Sequence, residues 1–200
     1  MPTIVDYGSG NLRSVQKAFE QLGTPAVITS DATAVAAAER LVLPGVGAFG
    51  DAMRELGDRG LIEPIVAHLR EDRPFLGICM GLQLLFETGL EGGRQVGLGV
   101  LPGDVVRFDL PPELKVPHMG WNQVHWQGDW RPAEDDEYFY FVHAYHARPA
   151  DEAVVAAVSD YGGPFCSAVR RGNLFATQFH PEKSQAAGLR LLGQWLEATA

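Results

Sequence analysis

Cysteine is nearly missing from this chain: Cys79 and Cys166 are the only two in 200 residues. That is too few for the bridged framework of a small secreted domain. Cationic side chains are scarce as well, with 16 Lys and Arg against 25 Asp and Glu, a net charge of −9 and a pI near 5.1. No basic footprint invites nucleic acid or an anionic membrane, so an anionic substrate would have to be caught by a local patch. No apolar run approaches the ~20 residues of a membrane-spanning helix. The start, Met1-Pro2-Thr3-Ile4-Val5-Asp6, lacks the charged opening of a signal peptide. Internal repeats, low-complexity tracts and long linkers are absent too, and a soluble, cytoplasmic chain is expected.

What is present is an ordinary globular balance, 46% hydrophobic and 20% charged. Two hundred residues suit one domain covering 1–200, large enough to hide roughly 70% of its unfolded surface without staples. The first part alternates short apolar strands with helical patterns. Thr3-Ile4-Val5, Ala26-Val27-Ile28, Leu41-Val42-Leu43 and Phe75-Leu76-Gly77-Ile78 read as strands. Between them, Asn11 to Leu22 spaces Leu12, Val15, Phe19 and Leu22 along one helical face, and Asp31 or Ser30 can cap an Ala-rich helix. Phe49 to Leu56, Leu61 to Arg70 (with Pro64 tolerable in its first turn) and Met80 to Glu87 read as further helices. Apolar strands alternating with helices imply an α/β fold, a mostly parallel sheet covered on both faces.

Beyond about residue 95 the rhythm changes. Val105 to Phe108, Val124 to Trp126, Tyr138 to Val142, Val154 to Val158, Cys166 to Val169 and Leu174 to Thr177 read as strands joined by Gly, Pro and Asp-rich turns. Little helix follows until Ala186 to Ala198. This half is expected to add an antiparallel extension to the parallel one.

Chemistry concentrates at Gly77-Ile78-Cys79-Met80-Gly81, where an apolar strand runs into a helix. This is the thiol form of the G-x-S-x-G elbow, in which flanking glycines allow strand and helix to approach and the central residue is forced into a strained turn. A thiol so placed projects above the carboxyl edge of the sheet and feels the positive end of the helix dipole. A small buried cysteine at a strand end is the plain alternative. A nucleophilic thiol needs a base, and among His68, His118, His125, His143, His146 and His180 the strongest candidate is His180, in Gln178-Phe179-His180-Pro181-Glu182-Lys183. Glu182 can fold back onto one imidazole nitrogen while the other faces sulfur. Cys79 would then attack, His180 would move the proton and Glu182 would fix the tautomer. Acyl transfer also needs oxyanion donors. The N–H of Met80 is one, and the turn Pro44-Gly45-Val46-Gly47 at the same sheet edge can supply another.

Rival readings are weaker. Gly45-Val46-Gly47-Ala48-Phe49-Gly50 satisfies G-x-G-x-x-G, with Glu71 and Asp72 downstream. A dinucleotide fingerprint, however, belongs on the first strand and its acid should end the next one. His143 and His146 have H-x-x-H spacing, but on one strand they would point to opposite faces. No metal or cofactor is expected. Cys166 falls in an apolar strand and is expected to be inert. Trp121, Trp126, Trp130 and Trp195 read as core or surface aromatics, and only Trp121, in His118-Met119-Gly120-Trp121-Asn122, invites more.

The elbow at Cys79 and the late His180-Pro181-Glu182 resemble the class I (triad) glutamine amidotransferases. Finer segments resemble the branch that serves as glutaminase subunits of imidazole glycerol phosphate synthases in histidine biosynthesis. They are Asp6 to Leu12, Leu43 to Phe49, Gly77 to Glu87, Leu98 to Gly103, His118 to Asn122, Tyr140 to His143 and Gln178 to Ser184, spanning nearly the whole chain in the family's order. The resemblance implies a flavodoxin-like three-layer core and hydrolysis of glutamine to glutamate and ammonia through a thioester on Cys79. It also implies glutamine binding by Gln83, Glu91 and the His143-Ala144-Tyr145 strand, and oxyanion donors at Gly47 and Met80. Ala144 stands where the family often has Ser or Thr, Gln185 replaces a common small residue, and Gln127 to Glu137 reads as a variable loop.

The same resemblance implies a partner, a (β/α)₈-barrel cyclase forming a heterodimer, with Asn11, Trp121, Tyr140 and Lys183 at the interface. Exposed aromatics suit an interface core. An oxyanion strand near Val46 that rests unproductively until the partner binds is part of that expectation. Two other readings stand beside it: a glutaminase serving anthranilate, pyridoxal phosphate or purine synthesis, and a non-catalytic module on the same fold. A cysteine peptidase would need an open peptide groove, for which the sequence offers no feature.

Overall fold

The computed structural model describes residues 1–133 and 137–200. The variable loop expected at 127–137 therefore lies partly outside the described residues. The first strands and helices follow the apolar patterning: β1 Pro2–Val5, α1 Leu12–Gln21, β2 Val27–Thr29, α2 Ala32–Ala37, β3 Arg40–Gly45, α3 Phe49–Asp58, α4 Ile62–Arg70 and β4 Phe75–Cys79. Asp31 rather than Ser30 caps α2, its carboxylate accepting from Thr33 N at 2.7 Å. Pro64 sits in the first turn of α4, where no helical N–H is lost.

After the elbow come α5 Met80–Gln83, β5 Phe86–Gly89, β6 Gln95–Val96, β7 Leu101–Arg107, β8 His118–Gln123, β9 His125–Trp126, β10 Tyr138–His143 and β11 Tyr145–Pro149. The chain finishes with β12 Val155–Asp160, β13 Pro164–Arg171, β14 Leu174–Thr177 and α6 Gln185–Ala198. An eight-stranded sheet runs in the order β2-β1-β3-β4-β14-β13-β12-β9, parallel through β14 and antiparallel beyond it. Two smaller sheets complete the fold, the ribbon β10-β8 and the four-stranded β11-β7-β5-β6. The expected α/β core and antiparallel extension are both there, although β5 and β7 pair in parallel within the extension.

Strand alternation sorts the core into two sides. Ile4, Val42, Leu76, Ile78 and Phe175 pack toward α1 and α6, with Phe19 and Trp195 fully covered there. Val5, Leu41, Leu43, Phe75 and Ala176 pack toward α2, α3 and α4, against Val35, Leu56 and Ile65. This is the three-layer sandwich that continuous apolar strands require.

One element departs from its pattern. The helix expected over Met80 to Glu87 stops at Gln83. The carbonyls of Leu84, Leu85, Phe86 and Glu87 accept from the N–H groups of residues 97–101 instead of continuing the helix. Gly97 makes this approach possible, since a Cβ there would lie 2.1 Å from Phe86 O. Tertiary pairing has overridden helical propensity. Similarly, the strand expected at Val124 to Trp126 is the two-residue end of a longer excursion, and the extended run before it, β8, belongs to the separate ribbon.

Candidate active site

Register sets the site. Gly45 at the end of β3 pairs with Cys79 at the end of β4, and Thr177 at the end of β14 pairs with Ile78. Three carboxyl ends thus meet at one edge, the usual place for a site on an open parallel sheet. Cys79 has φ 55° and ψ −104°, left-handed backbone that a non-glycine residue adopts only under constraint. The constraint is visible. A Cβ on Gly81 would lie 1.8 Å from Leu43 O, and one on Gly77 would lie 2.7 Å from Gly81 O. Only glycines let β4 turn this sharply into α5 beside β3. Because α5 has four residues, its dipole is small, and local N–H groups replace the long helix that the sequence suggested.

His180 reaches the same edge from β14. Its N–H donates to Tyr140 O at 2.9 Å, its carbonyl accepts from Ser184 Oγ at 2.6 Å, and Tyr140 N donates to that same Oγ at 3.0 Å. The backbone of His180 is therefore clamped to β10, and the turn Pro181–Lys183 carries Glu182 back. Glu182 Oε1 accepts from His180 Nδ1 at 2.8 Å, with both side chains withdrawn from solvent. Burial alone would pull the imidazolium down. The Cys79 charge and sulfur, with the hydrogen bond and charge of Glu182, outweigh it and hold His180 up at about 10. Nδ1–H being committed to Glu182, the buried Nε2 is left for Cys79, whose charge and sulfur act on the imidazole.

A cleft of about 330 Å³ opens over the thiol, lined by Val46, Gly47, Cys79, Met80, Gln83, Glu91, Pro117, Val142, His143, Ala144 and Tyr145. Every residue expected to bind glutamine or an oxyanion is on that wall. Gln83 donates through Nε2 to Tyr145 O at 2.9 Å and to Gln178 Oε1 at 3.0 Å, so only its carbonyl remains for a ligand. Glu91 Oε2 accepts from Phe49 N at 2.8 Å, placing a carboxylate at the N-terminus of α3. A pyrophosphate would need that position, and the G-x-G-x-x-G reading fails on it. Ser9 Oγ donates to Val46 O at 2.7 Å, and the buried Tyr7 hydroxyl fills the space a Cβ on Gly45 would need, 2.0 Å away. Tyr7 and Ser9 thus grip the Gly45-Val46 turn from below.

The remaining expectations divide. Trp121 and Tyr140 are cross-strand partners with ring centroids 6.1 Å apart, and Lys183 Nζ stands 5.7 Å over the Tyr140 ring. These three form one surface patch, flanked by exposed Met119 and Tyr138. Asn11 precedes α1, which packs against the Pro181–Lys183 turn. His143 and His146 do not share a strand: the chain breaks at Ala144 between β10 and β11, and both rings pack on Phe108, 5.2 and 4.7 Å away. Among the described residues, no group of three or more His, Cys, Asp or Glu is arranged to hold a metal ion, and no helix is long and apolar enough to cross a membrane.

Residue-by-residue reading missed Gln178, whose Nε2 lies 3.7 Å from Cys79 Sγ, along with Ser184 and His118. Their neighbours in sequence were suggestive, but hydrogen bonds spanning 25 to 99 residues leave no local pattern.

The family model for glutamine amidotransferase class-I matches residues 3–196. Imidazole glycerol phosphate synthase subunit HisH of Rhodopirellula baltica is 62% identical over 200 residues, covering 99% of this chain and 98% of that protein. Its namesake in Syntrophotalea carbinolica is 55% identical, over 96% and 97%. A crystal structure of a glutamine amidotransferase shares the fold at TM-score 0.78, with 23% identity and 98% of each chain covered. PurLQS from Thermotoga maritima shares it at 0.74, with 18% identity over 100% of this chain and 98% of that one. The chain belongs to the class-I glutamine amidotransferase family.

Proposed function

We propose that this chain is the glutaminase subunit of an imidazole glycerol phosphate synthase, one amidotransferase domain over its full length, acting in histidine biosynthesis. The near-complete match to relatives carrying that subunit name supports it. The observation that carries the chemistry is the His180–Glu182 hydrogen bond beside Cys79, whose thiol lines a cleft with polar groups suited to a small amino acid.

The reaction runs in two halves. Glutamine lies in the cleft with its α-amino and carboxylate groups met by Gln83, Glu91 and the His143-Ala144-Tyr145 backbone, its amide over sulfur. The Cys79 thiolate attacks the amide carbon, and the oxygen that gains charge is received by backbone N–H groups at Gly47 and Met80. The His180 imidazolium protonates the departing nitrogen, the C–N bond breaks, and neutral ammonia leaves a thioester on Cys79. Now neutral, His180 takes a proton from water as the water oxygen attacks the thioester carbon. Collapse of that second adduct returns the thiolate and the imidazolium and releases glutamate. Glu182 holds the imidazole in one tautomer and supports its positive form throughout. The raised proton affinity of His180 suits it to take the thiol proton and to return a proton to the departing nitrogen.

The product explains a partner. At neutral pH free ammonia is mostly ammonium, which has no lone pair to attack with, so a synthase passes the neutral amine between sites with water excluded. The partner is a (β/α)₈-barrel cyclase, which combines ammonia with a phosphoribulosyl-formimino aminoimidazole carboxamide ribotide to give imidazole glycerol phosphate and the carboxamide ribotide. Trp121, Tyr140 and Lys183, with Asn11 nearby, face it in a cytoplasmic heterodimer. Glutamate release should be weak alone and rise sharply with the cyclase and its nucleotide, and Cys79→Ala should abolish it. Full turnover in Cys79→Ala, or complementation only of a tryptophan, pyridoxal or purine auxotroph, would reverse the assignment. No covalent adduct with a glutamine-mimicking electrophile would leave a non-catalytic module.

A further inference from the structure

A continuous chain of hydrogen bonds, buried over its inner part, runs from the outer ribbon to the thiol. The Tyr145 carbonyl is its pivot, and because a carbonyl only accepts, it orients every other member. On one side it receives Gln83 Nε2, which forces Gln178 to accept through Oε1 and to donate through Nε2 to Cys79 Sγ, 3.7 Å away. On the other side it receives His143 Nδ1 at 2.8 Å. That leaves His143 Nε2 as an acceptor for His118 Nδ1 at 3.2 Å, and His118 Nε2 as an acceptor for Asn122 Nδ2 at 3.4 Å. Asn122 also donates to Asp160 O at 2.8 Å, which anchors the outer end.

Both imidazoles must be neutral for this polarity, and burial pushes His118 down to about 4 and His143 to about 3. The His118 ring is held between Tyr161, 4.1 Å away, and Phe141, 4.9 Å away, both stacked. Strand alternation then matters. His118 and Asn122 point inward on β8, while their neighbours Met119 and Trp121 are exposed on its outer face.

We propose that His118 and Asn122 are positioning residues for the nucleophile. Through His143, Tyr145, Gln83 and Gln178 they set the hydrogen bond received by Cys79 sulfur. A cyclase pressed against Met119 and Trp121 shifts β8 and so adjusts the thiol. This last limb rests on the partner reading above, whereas the positioning limb does not.

The test uses the full chain. Nitrogen-15 spectra of labelled histidine at neutral pH should show His118 and His143 both neutral and both protonated on Nδ1. Mass spectrometry should then follow alkylation of Cys79 by a chloroketone analogue of glutamine. His118→Leu should slow it at least ~10-fold, and His118→Asn, whose Nδ2–H stands in for Nδ1–H, should restore it to within about threefold. With cyclase and nucleotide present, His118→Leu should lower kcat by ~10-fold or more while the glutamine KM stays within about threefold. An Nε2–H tautomer on either ring, or wild-type alkylation in His118→Leu, overturns the proposal. Should His118→Leu fail to fold, Asn122→Ala with the tautomer spectra decides the matter in the same way. A wild-type chain indifferent to the cyclase, yet showing both tautomers and the slowed alkylation, would overturn the partner limb and support the positioning one.

Discussion

His180 Nδ1 and Glu182 Oε1 lie 2.8 Å apart across a single proline, with both side chains sealed from water. A buried imidazole this close to a carboxylate has one tautomer and one orientation available. Its second nitrogen is thereby aimed away from Glu182, on the side where Cys79 exerts its charge. The local turn, rather than a distant element, builds the His180–Glu182 half of the candidate site.

Glu182→Gln keeps an oxygen that can accept from Nδ1–H but removes the charge. His180 then loses one of the contributions that hold it up at about 10. In the native chain the imidazolium's stabilising contribution is complete below pH 6.5 and disappears as pH rises through about 10; the variant should lose it at lower pH. Glutamate release in the complex should fall by at least ~10²-fold at neutral pH, within the range for a disabled acid–base group. A pH–rate profile unchanged by the substitution would show that the carboxylate does not tune His180.

Gly81→Ala should not be tolerated. The added Cβ would stand 1.8 Å from Leu43 O, a backbone atom held in the sheet, and cannot be accommodated by side-chain rotation. A loss of about 3 kcal/mol is expected from such overpacking, lowering Tm by roughly 6–12 °C. Calorimetry checks this, and a Tm within 2 °C of the parent's (about 0.5–1 kcal/mol) would mean that the elbow is less tight than described.

Acid should weaken the fold through its buried histidines. His118 and His143 bind a proton near 6.5 when unfolded but only near 4 and 3 when folded. Stability is therefore complete above pH 6.5 and declines as pH falls toward 4, by up to about 1.4 kcal/mol per pH unit per histidine. His118→Asn cannot titrate there, so its urea midpoint should fall less steeply between pH 6.5 and 4 than the parent's. Parallel curves would place the pH dependence elsewhere.

The two thiols should differ sharply. Cys166 is buried, donates to Ala168 O at 3.5 Å and has its thiol pushed up to about 12 by burial. Iodoacetamide at neutral pH should modify the native chain once, at Cys79, and Cys79→Ala not at all. Peptide mapping that finds Cys166 labelled in folded protein would contradict its enclosure.

Much of this was open to reading along the chain. Apolar strands alternating with amphipathic helices announce the layered core, because backbone hydrogen bonding and burial impose periods that local sequence must obey. The glycines at 77 and 81 around Cys79 likewise advertise a turn only glycine can make, and Pro181 with Glu182 keeps the carboxylate near His180. Short strands such as Phe86–Gly89 and Gln95–Val96 were illegible, since the pairing of Phe86–Gly89 with Gln95–Val96 and with Leu101–Val105 wins over the helical pattern that runs through Glu87.

The sequence by itself determined the layered architecture, the glycine-flanked turn at Cys79 and the pairing of His180 with Glu182, each encoded in neighbours a few positions apart. Only the tertiary structure decided that Cys79 comes within electrostatic reach of His180, that Trp121 and Tyr140 share one face, and that Asn122 connects to the Cys79 sulfur through five intervening residues. Those relationships join residues tens of positions apart, and no short-range spacing records them. They exist because parallel strands bring their carboxyl ends to one edge and because buried polar groups, deprived of water, must find one another.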